Sequence, residues 1–353
     1  TMGYDELRAE QQRLRDQGIY RGIGLVSMVE VTNPSPMFYG AGGAAIASQD
    51  GATVRLDAGG ALHISSSITE QGQGTNAIMA QIAAGVFGVD IERVRVTTGD
   101  TATVPYGGGT WASRGAGIGG EAMLQAAYAL KQQVLDVAAV ILQSEAAKLD
   151  IQAGEIVDLG TDTSRMALSD LGRIVYYRGN ELPSDLKPEL VATRHYRVTD
   201  FPFVFTNGAM AAHVEVDIET GFVKVLNFWA VEDCGRVINP QLVDEQVRGG
   251  VVQGIGGALY EECIYSEDGQ MLNATMADYL VPMAAEMPDI VVEHIETPTK
   301  TSTLGAKGAG EAGTGGAPAA ILNAVNDALR PLDASLHQMP MTPERVLKAL
   351  GRI

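Results

Sequence analysis

Cysteine is nearly absent from this chain: Cys234 and Cys263 are the only two in 353 residues, and they form no CxxC pair. The sequence therefore offers no ligand set for an iron–sulfur cluster or a structural zinc. Five histidines (His63, His195, His213, His294 and His337) are scattered without an HxxxH pair, so a metal held by protein ligands is not expected. Basic residues are scarce: 25 Lys and Arg stand against 43 Asp and Glu, a formal charge of −18. A phosphate backbone needs a basic face, and no Lys/Arg cluster provides one, which argues against a nucleic-acid partner. No apolar run approaches the roughly 18 residues that span a bilayer, and the opening residues do not read as a signal peptide. These absences together predict a cytoplasmic, reducing compartment and no membrane partner.

Apolar residues (46%) and glycine (42 residues) are plentiful. A chain of this length and apolarity buries a substantial core and suits two domains or one large one. Thr1 precedes Met2; an N-terminal threonine can serve as a hydrolase nucleophile, but a cloning remnant or processing site is the expected reading. DELRAEQQRLRDQG then predicts an exposed, charged helix, and 22–32 a strand. ATVRLDAGGALHISSSI, 52–68, alternates apolar and polar positions around Gly59-Gly60, a hairpin signal. Gln71-Gly72-Gln73-Gly74 ends that strand, and Thr75 is placed to cap the next helix. The strand RVRVTTGD, a glycine-rich loop and a helix over roughly 120–148 follow.

The second half repeats the plan. Residues 213–235 predict a hairpin turning at Glu219-Thr220-Gly221, and Asn239-Pro240 opens a helix containing GGVVQGIGGALYEE. IVVEHIE predicts a strand, and Pro318 is expected to start APAAILNAVNDAL. The expected fold is α+β: two similar α/β subdomains of mixed sheets and helices. The division is a linker helix over 1–20, one subdomain over 21–190 and another over 191–353. Polar and Pro-containing segments interrupt the periodicity near 160–200.

Four glycine-bearing loops centre on Gln73, on Thr110 to Arg114, on Gln253 and on Lys307 to Glu311. Glycine lets backbone N–H groups approach an anion, and helix starts favour negative charge, so the four together suit one large phosphate-bearing cofactor. Gly115, Gly117 and Gly120 match GxGxxG, but no hydrophobic strand precedes them, and a dinucleotide-binding site is rejected. No GK[ST] follows Lys307, so a P-loop fails too.

The set EQGQG (70–74), TWASR (110–114), DCGRVINP (233–240), VQG (252–254) and GAKGAGE (305–311) resembles the molybdopterin-binding subunit of the xanthine oxidase family. The resemblance runs over nearly the whole chain but covers only that family's second molybdenum-cofactor domain. It implies that Gln73, with Gly74 and Thr75, lies by the cofactor near molybdenum. Thr110, Trp111, Ala112, Ser113 and Arg114 would hold pterin and phosphate, with Ala112 close to the metal. Cys234, Arg236 and Asn239 would lie near the nucleotide end, and Lys307 and Gly310 would shape the loop that presents Glu311. Glu311 matches the family's catalytic base, and Gln253 matches the glutamine that bonds an oxo ligand. Met28, Glu30 and Trp111 are the pocket candidates, with an exposed strand residue the favoured reading of Glu30.

The resemblance also implies that pterin sulfurs hold the molybdenum, so no His or Cys cluster is required. The pterin would carry a cytosine dinucleotide. Partner chains would bring the first cofactor domain, two [2Fe–2S] clusters and FAD. The expected activity is hydroxylation of a C–H carbon in an N-heterocycle, purine or aldehyde. A carbon monoxide dehydrogenase-like subunit is the alternative, and a non-catalytic scaffold subunit is the alternative of another class.

Overall fold

The computed structural model describes residues 2–40, 43, 45–199 and 203–353, so Thr1 lies outside the described residues. The charged opening segment forms α1 (Tyr4–Arg15), with Asp5 and Glu6 in its first turn and Arg13 and Arg15 in its last, each sign complementing the helix dipole. β1 (Tyr20–Thr32) follows.

The predicted hairpin is β2 (Asp50–Leu56) and β3 (Leu62–Ser66), antiparallel, with Leu56 opposite Leu62 across the turn. From β3 the chain crosses through α2 (Thr75–Phe87) to β4 (Val94–Thr98), which lies parallel to β3. α3 (Gly120–Leu142) then packs on α2 and β2. It stops short of the expected residue 148 because Gln143 turns left-handed (φ 51°). The stretch from 149 to 196 contains unforeseen structure. A three-stranded antiparallel sheet of β5 (Leu149–Gln152), β6 (Glu155–Asp158) and β7 (Thr163–Ala167) leads into α4 (Leu168–Tyr177) and β8 (Val191–Tyr196).

The second hairpin is β9 (Val204–Val216) with β10 (Val223–Asp233), turning at Gly221 (φ 79°). It crosses through α5 (Pro240–Leu259) to β11 (Ile290–His294), parallel to β10. α6 (Ala312–Leu329) and the short α7 (Pro343–Ala349) complete the chain. The two four-stranded sheets share one plan, in the orders β8-β2-β3-β4 and β1-β9-β10-β11: an edge strand, a hairpin, then a parallel strand reached by a helical crossover. β1 joins the sheet of the second hairpin.

The chain falls into two compact units. The β2 unit comprises Val31–Val204 and Pro298–Gly308; the β9 unit comprises Thr1–Glu30, Phe205–Thr297 and Ala309–Ile353. In the β9 unit α5 and α6 pack against one another, and Phe228, Val251, Ile255, Ile321 and Val325 are fully buried in the core.

α6 begins six residues before Pro318, which sits inside the helix. Close packing explains this start. A Cβ at Gly250 would lie 2.9 Å from the Cα of Gly313, and one at Gly313 only 2.2 Å from the carbonyl oxygen of Val247. The two backbones touch, so α5 holds a glycine-rich stretch in helix despite its poor propensity. Gly313→Ala is expected to force the helices apart at a cost of about 1–3 kcal/mol, read as a lowered midpoint of thermal unfolding.

Candidate functional site

In the β2 unit, two of the glycine loops are tied together. Thr110 Oγ1 donates to the carbonyl oxygen of Thr69 (2.8 Å) and accepts from the Thr69 amide (3.0 Å). Gln73 folds onto its own loop: Nε2 donates to Thr69 O (3.1 Å) and Thr75 Oγ1 (2.8 Å), while Oε1 accepts from the Gln71 amide (2.6 Å).

Thr75 is not the cap of α2. Gly74 holds the cap position in a left-handed conformation (φ 88°), and Glu70 supplies the acceptor. Its carboxylate takes the amides of Gly72 (2.9 Å), Gly74 (3.1 Å) and Asn76 (2.8 Å). Partial burial opposes the charge on Glu70, but the amides of Asn76, Gly74 and Gly72 outweigh it and hold the carboxyl below the usual range. Glu70 was the first letter of EQGQG. The signal was its spacing of two, four and six residues from these amides.

Arg114 is fully buried. It pairs with the equally buried Asp50 and donates to Ala47 O (2.7 Å) and Gln49 O (2.9 Å). Asp50 also accepts from Ser67 Oγ (2.7 Å) and from the amides of Gly108 (3.1 Å) and Gly109 (3.3 Å). Burial pushes Asp50 up and Arg114 down, each toward neutrality, and their mutual attraction opposes both shifts. The guanidinium also lies 5.1 Å from the ring centre of Trp111. These contacts pin the loop in an uncommon backbone: Ala112 (φ 48°) and Ser113 (φ 49°) are both left-handed without being glycine. Strained non-glycine pairs persist only where the surroundings over-determine them. Gly308 closes on this loop, since a Cβ there would lie 1.8 Å from Ser113 O. Lys307, beside it, is buried.

In the β9 unit, α5 and α6 bring Gln253 and the start of α6 together. Thr314 Oγ1 donates to Gly250 O (3.0 Å) and to Gln253 Oε1 (3.3 Å). Glu311 is the N-cap residue of α6, one turn before Thr314. Its backbone carbonyl accepts from the amides of Thr314 (3.1 Å) and Gly315 (3.0 Å), while its side chain caps nothing and is exposed. Gln246 Nε2 donates to Gly310 O (2.7 Å), which anchors the approach to Glu311. A carboxylate on a helix start, fixed through its backbone and exposed at its side chain, suits proton transfer. Thr314 had no signal of its own in the sequence. Cys234 is buried and Arg236 exposed in the connection from β10 to α5, and Asn239 Oδ1 caps α5 by accepting from the Leu242 amide (3.1 Å).

Whether these residues suit a pterin-borne metal turns on their donor chemistry. Among the described residues, no group of three or more His, Cys, Asp or Glu is placed to hold a metal ion. The indole N–H of Trp111 is buried without a hydrogen-bond partner, in the same loop as the left-handed Ala112 and Ser113. An unmet donor on a rigid loop fits a polar cofactor. No helix among the described residues is long and apolar enough to cross a membrane.

Residues 1–288 match the molybdopterin cofactor-binding domain family. Over 346 residues the chain is 40% identical to the nicotine 6-hydroxylase large subunit of Paenarthrobacter nicotinovorans, a match covering 98% of this chain and 42% of that one. It is 32% identical over 355 residues to the carbon monoxide dehydrogenase large chain of Hydrogenophaga pseudoflava, covering 99% and 43%. The solved quinoline 2-oxidoreductase of Pseudomonas putida 86 superposes with a TM-score of 0.89 at 36% identity, over 98% of this chain and 44% of that one. The chain thus spans less than half the length of each relative.

Proposed function

This chain belongs to the molybdopterin cofactor-binding domain family, and we propose that it forms the base-bearing part of a multi-subunit molybdenum hydroxylase. The reaction is insertion of a water-derived oxygen at an electron-poor C–H carbon of an N-heterocycle, purine or aldehyde. One observation carries this reading: α5 and α6 set Gln253 beside the first turn of a helix whose N-cap is an exposed glutamate, Glu311.

The bound cofactor supplies the activated oxygen and accepts two electrons. Glu311 takes up the proton that oxygen transfer releases. Gln253, steadied by Thr314, donates from its amide to orient the cofactor. Trp111 Nε1–H gives its unmet hydrogen bond to the pterin, with Gln73, Gly74, Thr75, Thr110, Ala112, Ser113 and Arg114 shaping that wall. Lys307 and Gly310 flank the base, and Cys234, Arg236 and Asn239 hold the nucleotide end, which we assign as a cytosine dinucleotide. Chains carrying the first cofactor domain, [2Fe–2S] clusters and FAD complete the enzyme in the cytoplasm. The relatives being named as large subunits or chains supports such an assembly.

A second reading, carbon monoxide oxidation, rests on the 32% identity to a carbon monoxide dehydrogenase large chain. The 40% identity to a heterocycle hydroxylase favours the first. The test is to purify the assembled complex, measure its metals, and offer pyridines, quinolines, purines and aldehydes with an artificial electron acceptor in ¹⁸O-labelled water. Labelled hydroxylated product with molybdenum and no copper is expected. Stoichiometric copper without hydroxylation would overturn the assignment in favour of the second reading.

A further inference from the structure

α1 carries four polar side chains on one face: Arg8, Gln11, Gln12 and Arg15 stand at positions i, i+3, i+4 and i+7. That face lines a cavity of about 570 Å³, bounded on its other side by Asp327, Arg330 and Pro331 at the end of α6. All of these residues belong to the β9 unit, and none of them is assigned to the cofactor. Asp327 lies about 24 Å along α6 from the N-cap residue Glu311. α1 and the end of α6 come from opposite ends of the chain, so the sequence gives no sign that they meet.

Asp327 is the fixed point of this cavity. Its Oδ2 accepts from Arg8 Nη1, from Gln11 Nε2 (2.7 Å) and from the Ile23 amide of β1 (2.9 Å). Gln11, itself buried, also donates to Arg21 O (2.7 Å). Arg8 is thus committed to Asp327. Arg15 is not: one terminal nitrogen gives a long bond to Gln12 Oε1 (3.4 Å), and its Nε is buried with no partner. Arg330, the C-cap residue of α6, pairs with no carboxylate among the described residues. Neither guanidinium is needed to cap its helix. Leu14 O accepts from the amides of Gln17 (2.9 Å) and Ile19 (3.1 Å), Arg15 O from Gly18 (3.0 Å), and Arg330 O from Asp333 (3.2 Å). Three guanidiniums therefore face one carboxylate, and two positive charges stay uncompensated in a chain whose formal charge is −18. Like charges held around one cavity repel, and a buried donor left unmet costs free energy. An anion between them relieves both.

We propose that this cavity binds a dianionic oxyanion of the phosphate class, clamped between Arg15 and Arg330 with the Gln12 amide as a further donor. A guanidinium presents a planar fork that meets phosphate oxygens in pairs. A dianion answers both free charges, where a monoanion leaves one. The cavity is roomier than phosphate alone requires, so a phosphate monoester fits as well as the free ion. The site goes beyond the hydroxylase reading and does not rest on it. Its occupation ties the C-terminal turn of α1 to the end of α6.

The test titrates the full chain with inorganic phosphate and, separately, with glycerol 3-phosphate, at fixed ionic strength, by calorimetry and by thermal unfolding. Saturable binding of one ion per chain is expected, with a rise in the unfolding midpoint that chloride at equal ionic strength does not reproduce. Arg15→Gln and Arg330→Gln should each weaken binding by at least about tenfold, the loss of one charge-assisted partner. Arg330→Lys keeps the charge without the fork and should fall between. Arg330 is exposed and stands outside the Asp327 hydrogen bonds, so its variants should unfold at the wild-type midpoint when no ligand is present. Hydrogen exchange of the α1 amides should slow on binding in the wild type and stay unchanged in Arg330→Gln at the same phosphate concentration. Tighter binding of the monoester assigns the site to a phosphorylated small molecule, and equal binding assigns it to free phosphate; either upholds it. No saturable binding, an unchanged affinity in Arg330→Gln, or the same response to chloride overturns the proposal. An Asp/Glu-rich peptide that binds where phosphate does not would make the cavity a protein-docking surface, and overturns it too.

Discussion

Replacing Glu311 by glutamine is expected to lower turnover of the assembled complex by at least about 10²-fold, the lower end for losing a general base, while molybdenum and pterin content stay at wild-type levels. The structure separates the two outcomes. The α6 start is held by the Glu311 carbonyl, which accepts from Thr314 and Gly315, and by Gln246 on Gly310. The carboxylate takes no part in capping the helix. Glutamine keeps the shape and every backbone bond, and it removes the ability to accept a proton. Glu311→Asp retains the carboxylate but withdraws it by one methylene, so its rate should lie between the two. Metal content and steady-state rate with an artificial acceptor measure both effects. Near-normal turnover in Glu311→Gln would place the base elsewhere and leave this chain as a scaffold.

The periodic segments were legible from sequence because each is decided locally. β2 and β3 alternate around Gly59-Gly60, Asn239 caps α5 ahead of Pro240, and β11 follows from IVVEH. The shared plan of two hairpins with helical crossovers came through for the same reason, and it is the plan of the two sheets. What failed was decided by distant neighbours. Gly313 and Gly316 belong to a helix because α5, β1 and β9 press against them, and no propensity carries that information. The Thr75 cap lost to Glu70, which reaches three amides only once the loop has folded back. In the candidate site, motif order singled out Gln253 and Glu311. The residues that steady them, Thr314 and Gln246, are set by the meeting of two helices far apart in sequence. Asp50, the partner of Arg114, lies 64 residues away on another element and left no mark in TWASR.

That pair yields the largest expected loss of stability. Arg114→Met removes a guanidinium from a fully buried site, stripping Asp50 of its counter-charge and the carbonyls of Ala47 and Gln49 of the hydrogen bonds it gives them. Stranding a buried charge in this way costs about 3–5 kcal/mol, a large share of the roughly 5–15 kcal/mol that holds a domain folded. The sign of its pH dependence identifies the cause. Ser67 and the amides of Gly108 and Gly109 still favour the Asp50 anion, but without Arg114 burial dominates and drives the carboxyl toward neutrality. A stranded anion is relieved by protonation, so the deficit should be largest at neutral and alkaline pH and shrink as pH falls. A lost packing contact would cost the same at every pH. Arg114→Met with Asp50→Leu removes the charge as well, and it should recover part of the loss at pH 7, since apolar replacement of a buried pair is often tolerated. Arg114→Lys should not rescue fully, because one ammonium cannot span the fork between Ala47, Gln49 and Asp50. Denaturant unfolding of the chain without cofactor measures all four proteins. Equal destabilisation across pH would mean that the loop is held by packing on Trp111 and not by this ion pair.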